Sequence, residues 1–86
     1  MKYTVRYDLP AETELAGIWT ATADRGAVTE AAAWLDDRLA RAPFRSGEAR
    51  TSSVHRIAFH QPLGVEFEVI EDNKLVLVGH LRWAWP

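Results

Sequence analysis

The 86-residue chain contains no cysteine, which excludes disulfides and thiolate metal sites and fits a reducing compartment. It has no apolar run near the roughly 20 residues that span a bilayer, and its start lacks the apolar core of a signal peptide. It also lacks a glycine-rich phosphate loop and a nucleophile elbow, and its three histidines show no metal-ligand spacing. The length predicts one domain over residues 1–86, and these absences predict a cytoplasmic protein without metal, cofactor or membrane contact.

Charge is unevenly distributed along the chain. The net charge is −2, but residues 38–60 hold five arginines against Glu48 alone, so this segment carries +4 and the remainder −6. A basic middle in an acidic body indicates one localised anion-contacting surface. An ordinary loop of solvated arginines explains the same pattern equally well.

Three apolar runs in the second half predict three strands joined as hairpins. They cover residues 54–60, 65–70 and 75–83, and connectors rich in turn-forming residues separate them at 61–64 and 71–74. In the middle run, Val65, Phe67 and Val69 alternate with two glutamates, which is typical of a half-buried strand. The third run is apolar on both faces until Gly79, as expected inside a sheet.

The same alternation assigns the polar side chains to faces. If Ile57 and Phe59 face the core, His55 lies on their side as a partly buried residue. If Leu75, Leu77 and Leu81 face the core, the open face of the sheet is predicted to carry Arg56, His60, Glu66, Glu68, His80 and Arg82.

The first half predicts one strand and two helices. Residues 2–7 alternate as a strand, Asp8 caps a helix with the apolar stripe Leu15, Ile18 and Trp19, and Asp24 caps a second helix that ends near residue 41. The second helix has the stripe Val28, Ala31, Ala32, Leu35 and Leu39. The order β-α-α-β-β-β predicts an α+β fold, with a helical hairpin on one face of a largely antiparallel four-stranded sheet.

Two features of this half are given structural interpretations. Glu12 and Glu14 lie on the solvent side of the first helix, and favourable helix-start electrostatics explains them better than acid–base chemistry. Phe44 is the predicted buried anchor of the polar connector that precedes the hairpins.

Several motifs, in this order and spacing, resemble the RelE/ParE family of bacterial toxins. They are Leu15-Ala-Gly-Ile-Trp19, Ala42-Pro-Phe-Arg-Ser-Gly-Glu48, Arg56-Ile-Ala-Phe, Pro62-Leu-Gly-Val-Glu-Phe-Glu-Val69 and His80-Leu-Arg82. The resemblance covers nearly the whole chain. It implies the toxin of a type II toxin–antitoxin system, which arrests growth and is neutralised by a cognate antitoxin.

The family divides by target, and the resemblance implies two activities. RelE-like members are mRNA interferases, metal-independent endoribonucleases that inhibit translation on the ribosome, whereas ParE-like members inhibit DNA gyrase without catalysis. The RelE pattern assigns a catalytic set of His80, Arg82 and Arg56. The sequence departs from that pattern at 63–65, where many members carry an arginine, and it has no tyrosine near its C-terminus. A gyrase inhibitor and an inactive relative that only binds an antitoxin stay open as alternatives.

Further residues are predicted to bind partners. RNA contacts are expected from Arg45, Arg50 and His60, and antitoxin contacts from Trp34, Trp83 and Trp85, since exposed indoles are common at interfaces. Ordinary structural roles compete with these assignments. His60 can simply end a strand, and Arg82 can form a surface ion pair with a neighbouring glutamate.

Overall fold

A computed structural model of the protein describes residues 2–84, so the prediction for Trp85 lies outside the described residues. Five strands and two α-helices follow one another in this part of the chain, and short 3-10 helices at Pro43–Arg45 and Glu71–Asn73 join some of them. The elements are β1 (Thr4–Tyr7), α1 (Leu9–Ala21), α2 (Arg25–Arg41), β2 (Glu48–Ala49), β3 (His55–His60), β4 (Leu63–Ile70) and β5 (Leu75–Trp83).

The strands form one mixed sheet in the order β1-β5-β4-β3-β2. β1 runs parallel to β5, and the other three pairings are antiparallel. The predicted α+β class and largely antiparallel sheet are confirmed, but the predicted count of four strands is wrong. The fifth is β2, whose two residues are too few to show an alternation in the sequence.

Both helices begin at the predicted aspartates. Asp8 accepts a hydrogen bond from the backbone N–H of Ala11 at 3.4 Å, and Asp24 accepts one from Ala27 at 3.0 Å. Each carboxylate thereby satisfies one N–H group that the first helical turn leaves without an intrahelical partner.

The core lies between the helices and one face of the sheet. The predicted stripe of α2 is confirmed, because Val28, Ala31, Leu35 and Leu39 are buried and Ala32 is half-buried. Trp19 was predicted to be buried but is 42% exposed. Its indole bridges the two helices at the surface, where Nε1 donates to Thr29 Oγ1 at 3.2 Å and the ring lies 4.7 Å from the Arg25 guanidinium carbon.

The side chains of β3 lie on the faces opposite to those predicted, so the prediction is wrong by one residue. The 61–64 connector is in fact a tight turn at Gln61 and Pro62, and His60 pairs directly with Leu63. Since directly paired residues share a face, Ala58 lies with Val65 on the helix side. Phe59 therefore points to the open side and is 56% exposed, whereas Ile57 lies on that side but is covered.

β5 contains a bulge at Gly79. Glu66 pairs with His80 but Phe67 pairs with Val78, so the glycine between them has no opposite residue. The extra residue shifts the alternation, because a bulge places two residues against one. Val76, Val78 and Leu81 therefore all face the helices, whereas Leu75 and Leu77, which were predicted to be in the core, are half-buried on the open face.

Two further observations complete the fold. Phe44 is 41% exposed and is not the predicted anchor; Pro43 and Ser46 are the buried residues of that connector. Within residues 2–84, no helix is both long and apolar enough to cross a membrane.

Candidate functional site

The open face of the sheet carries a concavity of about 340 Å3. It is centred where β3, β4 and β5 lie side by side, and the start of α1 and the segment after β2 form its rims. Its polar lining consists of Asp8, Arg50, Thr51, His55, Arg56, Glu66, Glu68 and His80.

The predicted common face is confirmed for four residues and wrong for two. Glu66, Glu68, His80 and Arg82 lie on the open face. The register places Arg56 opposite Phe67 and His60 opposite Leu63, both of which face the helices. The reason is the same tight turn that reverses the predicted facing of β3.

His80 is held at the rim of the concavity by helix α1. Its Nδ1 lies 3.3 Å from Glu14 Oε1, and the same oxygen accepts a hydrogen bond from the backbone N–H of Leu81 at 3.1 Å. The imidazole is 61% exposed, so its other nitrogen is accessible. Glu14, which the sequence assigned to helix-start electrostatics, is thus part of the site.

His55 is the site residue that sequence reasoning missed. Its Nε2 lies 3.7 Å from Glu68 Oε1 and its Nδ1 lies 3.1 Å from Ser52 Oγ, and the side chain is about half exposed. A two-residue turn at 61–62 would have placed His55 directly opposite Glu68, on the outward face of the well-predicted middle strand. That pairing was the signal in the sequence that could have identified His55 as a site residue.

Arg56 is occupied by the backbone of its own chain. Its guanidinium donates to the carbonyl oxygens of Ser46 at 3.3 Å, Gly47 at 3.1 Å and Ser53 at 3.3 Å. These three hydrogen bonds connect the residues just before β2 and those that follow it to β3. The geometry therefore makes Arg56 a support for the wall of the concavity that carries Arg50.

The predicted RNA contacts are spread over different surfaces. Arg50 lines the concavity, and Arg82 is exposed on the open face opposite Gly64. Arg45 is exposed at the end of a 3-10 helix. His60 lies on the helix side, where its ring packs on Trp34 with 4.3 Å between centroids.

The predicted antitoxin contacts that the structure describes are half exposed. Trp34 is 46% and Trp83 is 47% accessible, and they project from α2 and from the end of β5. Trp83 lies beside Ile18, Ala21 and Thr22 at the end of α1. These exposed indoles are the kind of surface that partner proteins cover.

A larger recess than this concavity lies away from the chemistry, between the two helices. It is an apolar groove of about 650 Å3, lined mainly by Leu15, Ala16, Trp19, Val28 and Ala32. Tyr7 also lines it and donates a hydrogen bond to Asp36 Oδ1 at 2.6 Å. Burial and this carboxylate raise the pKa of Tyr7 well above the usual tyrosine value.

The arrangement on the open face supports acid–base chemistry. Two imidazoles, each beside a carboxylate, flank a cleft that also holds an arginine. Imidazole transfers protons near neutral pH, and guanidinium binds phosphate oxygens. Among residues 2–84 no three histidine or carboxylate side chains are grouped as a metal site.

Comparison with known proteins shows similarity of structure only. The sequence matches no family model and no curated protein. A chain of the toxin–antitoxin complex RelBE2 from Mycobacterium tuberculosis superposes with a TM-score of 0.77 at 17% identity, covering 96% of this chain and 99% of that one. A chain of the chromosomal ParDE system from P. aeruginosa gives 0.71 at 11% identity, covering 95% and 96%. The chain therefore has the fold of the RelE/ParE toxin–antitoxin proteins, which confirms the fold that the sequence resemblance implies.

Proposed function

We propose that this protein is the toxin of a type II toxin–antitoxin system, and that it arrests growth in the cytoplasm by cleaving messenger RNA on the ribosome. One observation carries the proposal: His55 and His80 lie on the same concave face, each beside a carboxylate, and Arg50 lines the same concavity. The fold shared with RelBE2 and ParDE chains supports the toxin assignment.

The two histidines match the two proton transfers of metal-independent RNA cleavage. One group must take the proton of the 2′-hydroxyl as its oxygen attacks phosphorus, and another must protonate the departing 5′-oxygen. His80 is assigned the first role and His55 the second. Their strands are separated by two interstrand spacings, about 9.5 Å. His55 pairs with Glu68 and His80 with Glu66, so the two histidines are also offset by two residues, roughly 7 Å, along β4. Their backbones are therefore about 12 Å apart, and a phosphodiester between them would be reached by both side chains from opposite sides.

Arginines supply the positive charge that the pentavalent phosphate needs. Arg50 in the cleft and Arg82 beside it are placed to donate to phosphate oxygens, as guanidinium does with bidentate geometry. Arg56 acts indirectly, because its three backbone bonds hold the segment that carries Arg50. Arg45 and His60, which lie outside the cleft, are assigned to contacts with the ribosome.

The acidity of the cleft explains why the ribosome is needed. Asp8, Glu66 and Glu68 line it together with the histidines, so free RNA is repelled at close range. The ribosome's own contacts then supply the affinity that a small basic surface does not. Purified protein should therefore leave free RNA intact.

The same acidity favours a second candidate, a ParE-like inhibitor of DNA gyrase. Three carboxylates outnumber the arginines that are free to bind phosphate in the cleft, and Arg56 is engaged with backbone. A non-catalytic toxin needs no phosphate site. An inactive relative that only binds its antitoxin is the third candidate.

Induction in bacteria without an antitoxin distinguishes the three. Translation is measured by amino-acid incorporation, mRNA cleavage by mapping new 5′ ends, and gyrase activity by plasmid supercoiling. The proposal expects translation to stop and transcripts to be cut while supercoiling is unchanged. Relaxed plasmids with intact transcripts would establish the gyrase alternative, and normal growth would establish the inactive relative.

Site variants test the histidines directly. His80→Ala and His55→Ala are each expected to lower cleavage by about 10²–10⁴-fold, the usual contribution of one acid–base group. Both side chains are exposed, so thermal stability should change by less than about 0.5 kcal/mol. Thr4→Ala, an exposed residue of the same face in β1, is the control and should stay fully toxic. Full toxicity of both histidine variants would refute the nuclease.

A further inference from the structure

Glu14 is a carboxylate of helix α1 that contacts His80, one of the two proposed catalytic histidines. Its Oε1 accepts a hydrogen bond from the backbone N–H of Leu81 at 3.1 Å and lies 3.3 Å from His80 Nδ1. The side chain is 40% exposed, so it is partly withdrawn from solvent. One oxygen therefore contacts two successive residues of β5.

The fold creates this contact at the point where β1 ends. β1 pairs with β5 only as far as Val78, and the chain continues into α1, which lies along the next part of β5. The Asp8 N–H donates to the Val78 carbonyl at 3.0 Å and fixes the start of the helix against the strand. The bulge at Gly79 then turns His80 to the open face while Leu81 remains in the core.

The Leu81 bond separates this pair from an ordinary surface ion pair. In a typical exposed pair both side chains are free to rotate, and the interaction contributes little. Here a backbone donor in a strand fixes the carboxylate, so its position does not depend on the imidazole. A fixed acceptor at Nδ1 determines which ring nitrogen carries the proton of the neutral ring.

We propose that Glu14 is a positioning residue that holds the His80 ring with its proton on Nδ1 and presents an unprotonated Nε2 to the cleft. This inference rests on the proposed nuclease function, in which His80 takes the proton of the 2′-hydroxyl. In the other tautomer Nε2 carries a proton and accepts none. Glu14 thus keeps the neutral histidine in the form that acts as a base.

Nitrogen-15 NMR of the histidine rings tests the proposal without a substrate. The chain has only three histidines, and the spectrum of His80→Ala identifies the signals of that ring. Spectra are recorded with rising pH until the ring signals stop moving, so that the neutral form is observed. The expected result is a ring protonated on Nδ1 in the wild type and a mixture, mostly protonated on Nε2, in Glu14→Ala.

Two further variants separate orientation from charge. Glu14→Gln keeps an oxygen that accepts from both Leu81 N–H and Nδ1–H, so it should retain the wild-type tautomer. Glu12→Ala removes an exposed carboxylate one half-turn earlier on the same helix and should change neither tautomer nor activity. Ribosome-dependent cleavage should fall roughly 10- to 100-fold in Glu14→Ala, a part of what a general base contributes, and recover in Glu14→Gln.

The two proposals fail in different ways. The same tautomer in the wild type and in Glu14→Ala would overturn the positioning role, and so would a tautomer change that leaves cleavage unaltered. Absence of cleavage by the wild type would instead overturn the nuclease function. The NMR comparison would still decide whether Glu14 orients the ring.

Discussion

Replacing Arg56 by alanine should destabilise the protein, although the side chain is only half-buried. The change removes three hydrogen bonds from the guanidinium to the carbonyls of Ser46, Gly47 and Ser53. Bonds of this kind contribute about 0.5–1.5 kcal/mol each, and the lower part of that range applies because the bonds are long and water replaces some of them. The expected loss is about 2 kcal/mol of the free energy of unfolding.

This loss is large for a domain of 86 residues. Domains of this size have unfolding free energies of roughly 4–13 kcal/mol, and each kcal/mol lowers the melting temperature by about 4–8 °C. Arg56→Ala should therefore melt about 8–16 °C lower, measured by circular dichroism and by urea unfolding. Arg41→Ala, which removes an exposed pair with Asp37, should change stability by less than about 0.5 kcal/mol.

Temperature distinguishes support of the cleft wall from direct contact with RNA. If Arg56 acts through stability, Arg56→Ala should keep its toxicity at 20 °C, and at 37 °C it should lose only as much toxicity as its folded fraction falls. A variant that melts within 3 °C of the wild type but is non-toxic at both temperatures would refute the structural role. It would return Arg56 to the catalytic set predicted from the sequence.

Three further predictions concern backbone conformation, alkaline stability and partner binding. Gly47→Ala should lower the free energy of unfolding, measured in urea, by at least about 1 kcal/mol, because the residue has φ +68° and an added Cβ would lie 1.8 Å from a backbone oxygen. Gly17→Ala in α1 is the control: an added Cβ there meets nothing within 4 Å, so the change should raise the free energy of unfolding by about 0.5–1 kcal/mol. Because the folded state raises the pKa of Tyr7, the unfolded chain loses this proton first, so stability should fall as pH rises above about 10. Tyr7→Phe should reduce that slope, to which Tyr3 and Lys74 also contribute because the folded state raises the pKa of each. An unchanged slope would assign it to those other groups. Trp83→Ala should weaken neutralisation in co-expression with the antitoxin, whereas undiminished rescue would place the interface elsewhere, with Trp34→Ala as the next variant.

The sequence predicted those elements whose signals are local. Asp8 and Asp24 were recognised as caps because a capping side chain bonds to N–H groups two or three residues ahead. The alternation of β4 was read correctly, and Phe67 is buried as expected, because every second residue of that strand is apolar. Local chemistry was sufficient for these elements.

The errors arose where the face on which a side chain lies depends on which residues of neighbouring strands are paired. The apolar character of Phe59 indicated the core, but the turn at 61–62 assigns that face to the smaller Ala58. The bulge at Gly79 reverses the alternation once, so the predicted faces are wrong before it, at Leu75 and Leu77, and correct after it, at His80 and Arg82. The contacts of Glu14 join residues 66 and 67 positions apart, and no local pattern predicts such a pair.

The brevity of β2 affects how the isolated protein should behave in solution. β2 pairs with only Arg56 and Ile57, so within residues 2–84 no strand lies against the outer side of β3 from Ala58 onward. That edge borders a depression of about 320 Å3, and the exposed ring of Phe59 stands beside it. An uncovered edge with an apolar side chain accepts the backbone of another chain, including a second copy of itself. Concentrated protein without a partner should therefore self-associate along β3.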